Sequence, residues 1–191
     1  IMIVDEDPRL NGRTLAELAA EWGTTVPATV HRIVRENGNA SVMNLGLYDV
    51  ENIRHLATMP WMMTCTDGRT PTEGQDVVHP RVYGAFPRKM RMLALDDDLV
   101  SVPFVIRSFS GLAADFFGLG DRGYVEPGRV ADLVVLDLDA YRDRATMRDP
   151  HHFSEGAVHV LVNGELAIRD GEFQGVLAGR ALRAPWRRVE G

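Results

Sequence analysis

The apolar run 61-WMMTCT-66 stops at one carboxylate, Asp67. Gly68 follows, and then a polar stretch to residue 88 that carries Arg69, His79, Arg81, Tyr83 and Arg88. A carboxylate accepts protons at neutral pH, and a guanidinium binds carboxylates as a planar two-bond fork. Histidine and tyrosine can orient or line such a site. If 61–66 is a parallel strand buried on both faces, Asp67 stands at its C-terminal end, the edge where α/β barrels carry active sites. Gly68 would then let a ligand or metal approach the backbone closely. The other reading is a turn or helix cap, a common use of Asp-Gly. Spacing alone leaves both open.

The elements that must position these residues follow from periodicity. Residues 1–4 (IMIV) read as a short buried strand closed by the acidic turn DEDP. Thr14 with Glu17 three residues on is a capping-box pattern, opening a helix to Gly23 with Leu15, Leu18, Ala19 and Trp22 at helical spacing. A second helix follows Pro27, turns Val30, Ile33 and Val34 inward and ends at Asn37-Gly38. Residues 41–45 read as a strand, and residues 48–59 as a helix offering Val50, Ile53, Leu56 and Ala57 to a core. Beyond the polar loop 69–88, a helical region is expected from about Val102 to Phe117, with Pro103 in its first turn. The strand 131-ADLVVLD-137 and the hairpin 158-VHVLVNGELAIRDG-171, turning at Asn163-Gly164, give the remainder a β character. Gly118, Gly120, Gly123 and Gly128 mark a boundary near Tyr124. The expectation is an α/β part, residues 1–124, and a β part, residues 125–191. Two or three strands cannot close a barrel, so the first part reads as an incomplete α/β unit.

Composition narrows the function. The chain has 191 residues, 45% of them hydrophobic, enough for one sizeable core or two small ones. A net charge of −6 and a pI near 5.5 argue against nucleic acid or an anionic membrane as the main partner. No apolar run reaches the roughly 20 residues that span a bilayer. The single Cys65 excludes an internal disulfide and fits a reducing, cytoplasmic setting. The start, IMIVDEDPRL, shows no signal peptide and no initiator Met, so the chain is expected to be a fragment or processed piece.

The order TDG, HPRVYGAFPR, FFGLGDRGYVEPGRVADLVVLD, DPHHFSEGAVHVLVNGELAIRDG and GRALR resembles the N-acyl-D-amino-acid deacylases of the amidohydrolase superfamily, most clearly from Tyr48 to Arg183. The stretch from Gly123 to Asp137 is a superfamily feature, whereas TDG, HPRVYG and DPHHFSEGAVHVLVNGE point to the deacylase branch. The resemblance implies a TIM-like (β/α)8 barrel with a β-sandwich built from both chain ends, of which this chain is the C-terminal portion. It implies zinc in the complete enzyme. Asp67 then sits beside a zinc-bound water as its proton acceptor, with at most a weak or indirect contact to the metal. Arg81, in HPR, matches the arginine that binds the substrate α-carboxylate, with Tyr83 and His79 as its neighbours.

The family's histidine and cysteine ligands have no counterpart here. The isolated chain is therefore expected to hold no zinc and to need a complementary N-terminal part of the barrel. Cys65 reads as a small buried core residue, His151-His152 as a solvated turn, and His31 and His55 as helix residues. Arg88 reads as structural, and Asp132 as ordering the turn into its strand. The small-molecule substrate implied is an N-acyl-D-amino acid. Two alternatives stand beside it: a non-catalytic fragment or assembly subunit, and a cyclic-amide amidohydrolase of the hydantoinase or dihydroorotase kind.

Overall fold

Helix α1 (Leu15–Glu21) starts where its capping box predicts: the Thr14 hydroxyl accepts from Glu17 N–H while the Glu17 carboxylate accepts from Thr14 N–H at 2.7 Å. The computed structural model describes residues 2–4, 7–38, 41–43, 46, 48–68, 70–72 and 78–182. Arg69 and residues 44–45 and 183 of the sequence motifs lie outside them. Strand β1 (Met2–Val4) precedes α1; helix α2 (Val26–Asn37) and strand β2 (Ser41–Met43) follow. Ile3, Leu10, Leu15, Leu18 and Ile33 form the core of this unit, with Trp22 packed against it.

β1 and β2 pair antiparallel, Ile3 opposite Val42, and not as members of a parallel sheet. The reason is topological. One crossover helix returns a strand parallel, whereas the packed pair α1 and α2 reverses the chain once more. Helix α2 buries Ile33 but leaves Val30 and Val34 exposed. Helix α3 (Val50–Ala57), capped by the Asp49 side chain, buries Ala57 alone and turns Val50, Ile53 and Leu56 to solvent. The apolar faces expected in a core are present, but the described residues do not cover them.

The expected strand 61–66 joins no ladder among the described residues. A parallel strand exists only between partners, and here none lies alongside. The segment is held by side chains and helices instead. Thr64 N–H donates to the Ser108 carbonyl at 3.0 Å, and Arg107 Nη1 donates to the Pro60 carbonyl at 2.9 Å.

The supposed loop 69–88 is a correction of a different kind, because its second half is helix α4 (Arg81–Met90). Val82, Phe86, Met90 and Leu93 recur at helical spacing, the last two fully buried. Gly84 and Pro87 disguise that spacing in the sequence. Gly84 is required because a Cβ there would lie 2.7 Å from Asp143 Cβ. A π-helical turn, Arg91–Asp96, continues α4.

Helices α5 (Val102–Phe109) and α6 (Gly111–Phe117) replace the single helical region expected over 102–117. Ser110 breaks it, and its hydroxyl donates to the Gly123 carbonyl at 3.0 Å. Met90, Val105 and Tyr141 form the second core, joined by Leu95, Val102, Phe109 and Leu136. The four-stranded antiparallel sheet has the order β3 (Leu133–Leu136), β4 (Ala157–Val162), β5 (Glu165–Arg169), β6 (Glu172–Phe173). Asn163 and Gly164 both take positive φ, as a two-residue primed hairpin turn requires. Asp132 ties that turn down, accepting from Asn163 N–H at 2.7 Å and pairing with Arg122.

Candidate active site

Asp67 adopts φ 45°, a left-handed backbone that Asp tolerates better than most residues. Gly68 is pressed against the first turn of α4: a Cβ on it would meet Val82 Cγ2 at 2.6 Å. This close approach brings Arg81 onto Asp67. Arg81 Nη2 pairs with Asp67 Oδ2 at 2.9 Å, and Arg81 Nε donates to the Asp67 carbonyl at 3.1 Å. The Arg81 and Asp67 side chains are 44% and 80% exposed, so in this chain the pair faces solvent and adds little to stability.

His79 joins them from the other side. Its Nδ1 accepts from Arg81 N–H at 3.0 Å, satisfying a donor of the first helical turn that has no partner within the helix. Burial, and then the positive charges of Arg81 and Arg88, push the His79 pKa below its ordinary value. The neutral imidazole that accepts this bond is thus the favoured form. Asp67, Arg81 and His79 form one connected group.

Tyr83 points elsewhere. Its hydroxyl meets His151 Nδ1 at 3.0 Å, its ring packs edge-on against His151 and Phe153, and its carbonyl accepts from Ser154 Oγ at 2.7 Å. His151 therefore anchors α4 to the 151–154 segment and is not the solvated turn expected. His152 pairs with Asp149 at 2.7 Å. No spacing in the sequence signals a contact between residues 68 apart. Arg88 holds Asp143 through both Nε and Nη2 and also donates to the Ala145 carbonyl, a structural tie as expected. His31 and His55 are exposed helix residues.

Two further placements depart from the sequence reading. Cys65 is exposed, not buried, because no described residue covers its face of the unpaired segment. Lys89, which the sequence reading passed over, sends its ammonium to Thr64 Oγ1 at 2.6 Å and Ser108 Oγ at 3.1 Å. Burial lowers the pKa of Lys89. Nothing in the local sequence 86-FPRKM-90 signals this tie between α4, α5 and the segment that delivers Asp67.

Residues 10–168 match the amidohydrolase family. The chain belongs to that family. D-aminoacylase of Alcaligenes xylosoxydans xylosoxydans is 35% identical to this amidohydrolase over 175 residues, covering 92% of this chain and 34% of that relative. A crystal structure of D-aminoacylase, described as defining a novel subset of amidohydrolases, superposes with a TM-score of 0.74 at 32% identity. The match covers 92% of this chain and 36% of that one. An N-acyl-D-glutamate deacylase from Bordetella bronchiseptica, complexed with zinc and a phosphonate mimic of the tetrahedral intermediate, superposes with a TM-score of 0.69 at 29% identity. There the match covers 87% of this chain and 34% of that one. The chain spans about a third of the length of these relatives.

The Bordetella bronchiseptica deacylase is complexed with zinc, but the described residues of this chain do not by themselves fit a metal. They gather no group of three or more His, Cys, Asp or Glu side chains able to hold an ion. Asp67 is paired with Arg81, and a catalytic zinc needs three protein ligands. Among the described residues no helix is long and apolar enough to cross a membrane.

Proposed function

We propose that the protein is the C-terminal portion of a zinc-dependent hydrolase that cleaves the amide bond of N-acyl-D-amino acids, releasing a carboxylate and a D-amino acid. The observation that carries this reading is the 2.9 Å pairing of Asp67 with Arg81. A proton acceptor and a carboxylate-binding fork stand side by side in a chain whose relatives include a D-aminoacylase. In this reading residues 1–124 contribute the end of a (β/α)8 barrel and residues 125–191 contribute strands of a β-sandwich. The complementary N-terminal part brings the zinc ligands, and the complete enzyme works in the cytoplasm.

The chain's own residues divide the work. The Asp67 carboxylate takes a proton from the attacking water and returns it to the departing amine, whose expulsion is the harder half of amide hydrolysis. Arg81 holds the substrate α-carboxylate in a planar, two-bond geometry that a lysine cannot reproduce. His79, bonded to Arg81 N–H, fixes the helix start that presents the fork. Tyr83, two residues on, supports the site from the far side of α4, through His151.

A free α-carboxylate is what separates this substrate class from the cyclic amides of hydantoinase-like enzymes, which offer Arg81 no anion. The test is the complete, zinc-loaded enzyme assayed with N-acetyl-D-amino acids, their L-enantiomers and a hydantoin. Release of free D-amino acid with little turnover of the other two is expected. Hydrolysis of the hydantoin without the N-acyl-D-amino acids would replace this reading with the cyclic-amide one.

A further inference from the structure

Arg81 already holds a carboxylate, and it is the one proposed to act as base. Asp67 occupies the Nε–Nη2 edge of the guanidinium through both its side-chain oxygen and its backbone carbonyl. Pairing at Oδ2 and at the backbone carbonyl fixes the orientation of the carboxylate toward Arg81. The positive φ of Asp67 and the tight seat of Gly68 on Val82 keep the two groups together. In this chain the pair is largely exposed.

Substrate brings a second anion to the same single cation. From this geometry, and resting on the deacylase reading above, we infer a specificity device. The α-carboxylate of an N-acyl-D-amino acid takes the place of Asp67 Oδ2 on Arg81, and that displacement frees the Asp67 carboxylate to accept the proton. No covalent bond is made or broken in the exchange; one ion pair replaces another. The α-carboxylate is then required for kcat and not only for KM. A substrate lacking it leaves Asp67 clamped.

The experiment compares an N-acyl-D-amino acid with its α-amide, using the complete zinc-loaded enzyme as wild type, Arg81→Ala and Arg81→Gln. Equal zinc content and thermal midpoint are checked first, and the Gln variant carries the comparison should the Ala variant misfold. In wild type the amide should show both a higher KM and a lower kcat than the acid. In the variants KM for the acid should rise steeply. The kcat for the amide should rise above wild type once the pairing is removed. An unchanged amide kcat in the variants would leave Arg81 as a binding residue that never restrains Asp67, overturning the exchange but not the deacylase reading. A fall in amide kcat would make Arg81 a clamp that positions Asp67, which also overturns the exchange. A wild type that hydrolyses neither substrate would overturn the deacylase reading itself.

Discussion

Asp67 is paired through its side chain and set in a left-handed backbone, and its substitution separates these roles. Asn is isosteric, tolerates the same positive φ, and keeps an oxygen for Arg81 Nη2. It cannot take a proton from water. Asp67→Asn in the complete enzyme should therefore fold with unchanged zinc and lose about 10²–10⁴-fold in kcat, the usual contribution of a general base. Its thermal midpoint should barely move, since an exposed ion pair contributes about 1 kcal/mol or less. A variant retaining more than about a tenth of wild-type kcat would assign proton transfer to another group.

At the scale of the element, α4 carries the fork, and its first turn rests on a titratable cap. His79 accepts the Arg81 N–H only when Nδ1 is unprotonated. Burial, Arg81 and Arg88 hold its folded pKa below the 6.5 of the free side chain. The unfolded chain therefore binds a proton more readily than the folded one. The stability from neutral His79 is complete above about pH 6.5 and is lost as pH falls through the folded pKa. Asn offers an acceptor oxygen that does not titrate. His79→Asn should thus flatten the decline in thermal midpoint between about pH 7 and pH 5 relative to wild type. Parallel curves for the two proteins would mean that His79 does not couple protonation to the helix start. The other end of α4 needs no titration: Arg88 on Asp143, and Lys89 on Thr64 and Ser108, bind it to the sheet side and to the segment 61–66.

For the whole molecule the surface is too large. A compact protein of 21.2 kDa exposes roughly 9,100 Å², whereas this chain exposes 13099 Å². Large apolar side chains lie on the described surface. Val30, Val34, Ile53 and Leu56 face outward on helices patterned for burial, and β3 shows Val134 and Val135. A cavity of about 830 Å³ opens between Ile106 and Phe109 of α5 and Leu133 of β3. Exposed apolar faces of this kind mark surfaces that another chain or segment covers. The isolated 191-residue chain should accordingly self-associate or bind an apolar dye strongly. A monodisperse, dye-silent monomer in sedimentation and fluorescence measurements would contradict this. Under the function proposed above, co-expression with an N-terminal barrel part should suppress both signals.

Local rules were legible in the sequence wherever a short stretch satisfies itself. Thr14 with Glu17 and Asn163-Gly164 each form their cap or turn from neighbours, so α1 and the β4–β5 hairpin stand where the sequence placed them. The residues TDG and HPR likewise carried the family. What sequence could not decide was anything needing a distant partner. Whether 61–66 becomes a strand depends on neighbours alongside it, and whether Val30 or Cys65 is buried depends on what lies over it. Helix α4 was hidden because Gly84 and Pro87 have low helix propensity, while the packing of Met90 and Leu93 and the approach of Asp143 outweigh that cost. The pairing of Arg81 with Asp67 came from tertiary structure alone. It arises because Gly68, lacking a Cβ, lets the turn sit on Val82, and no residue spacing encodes that approach.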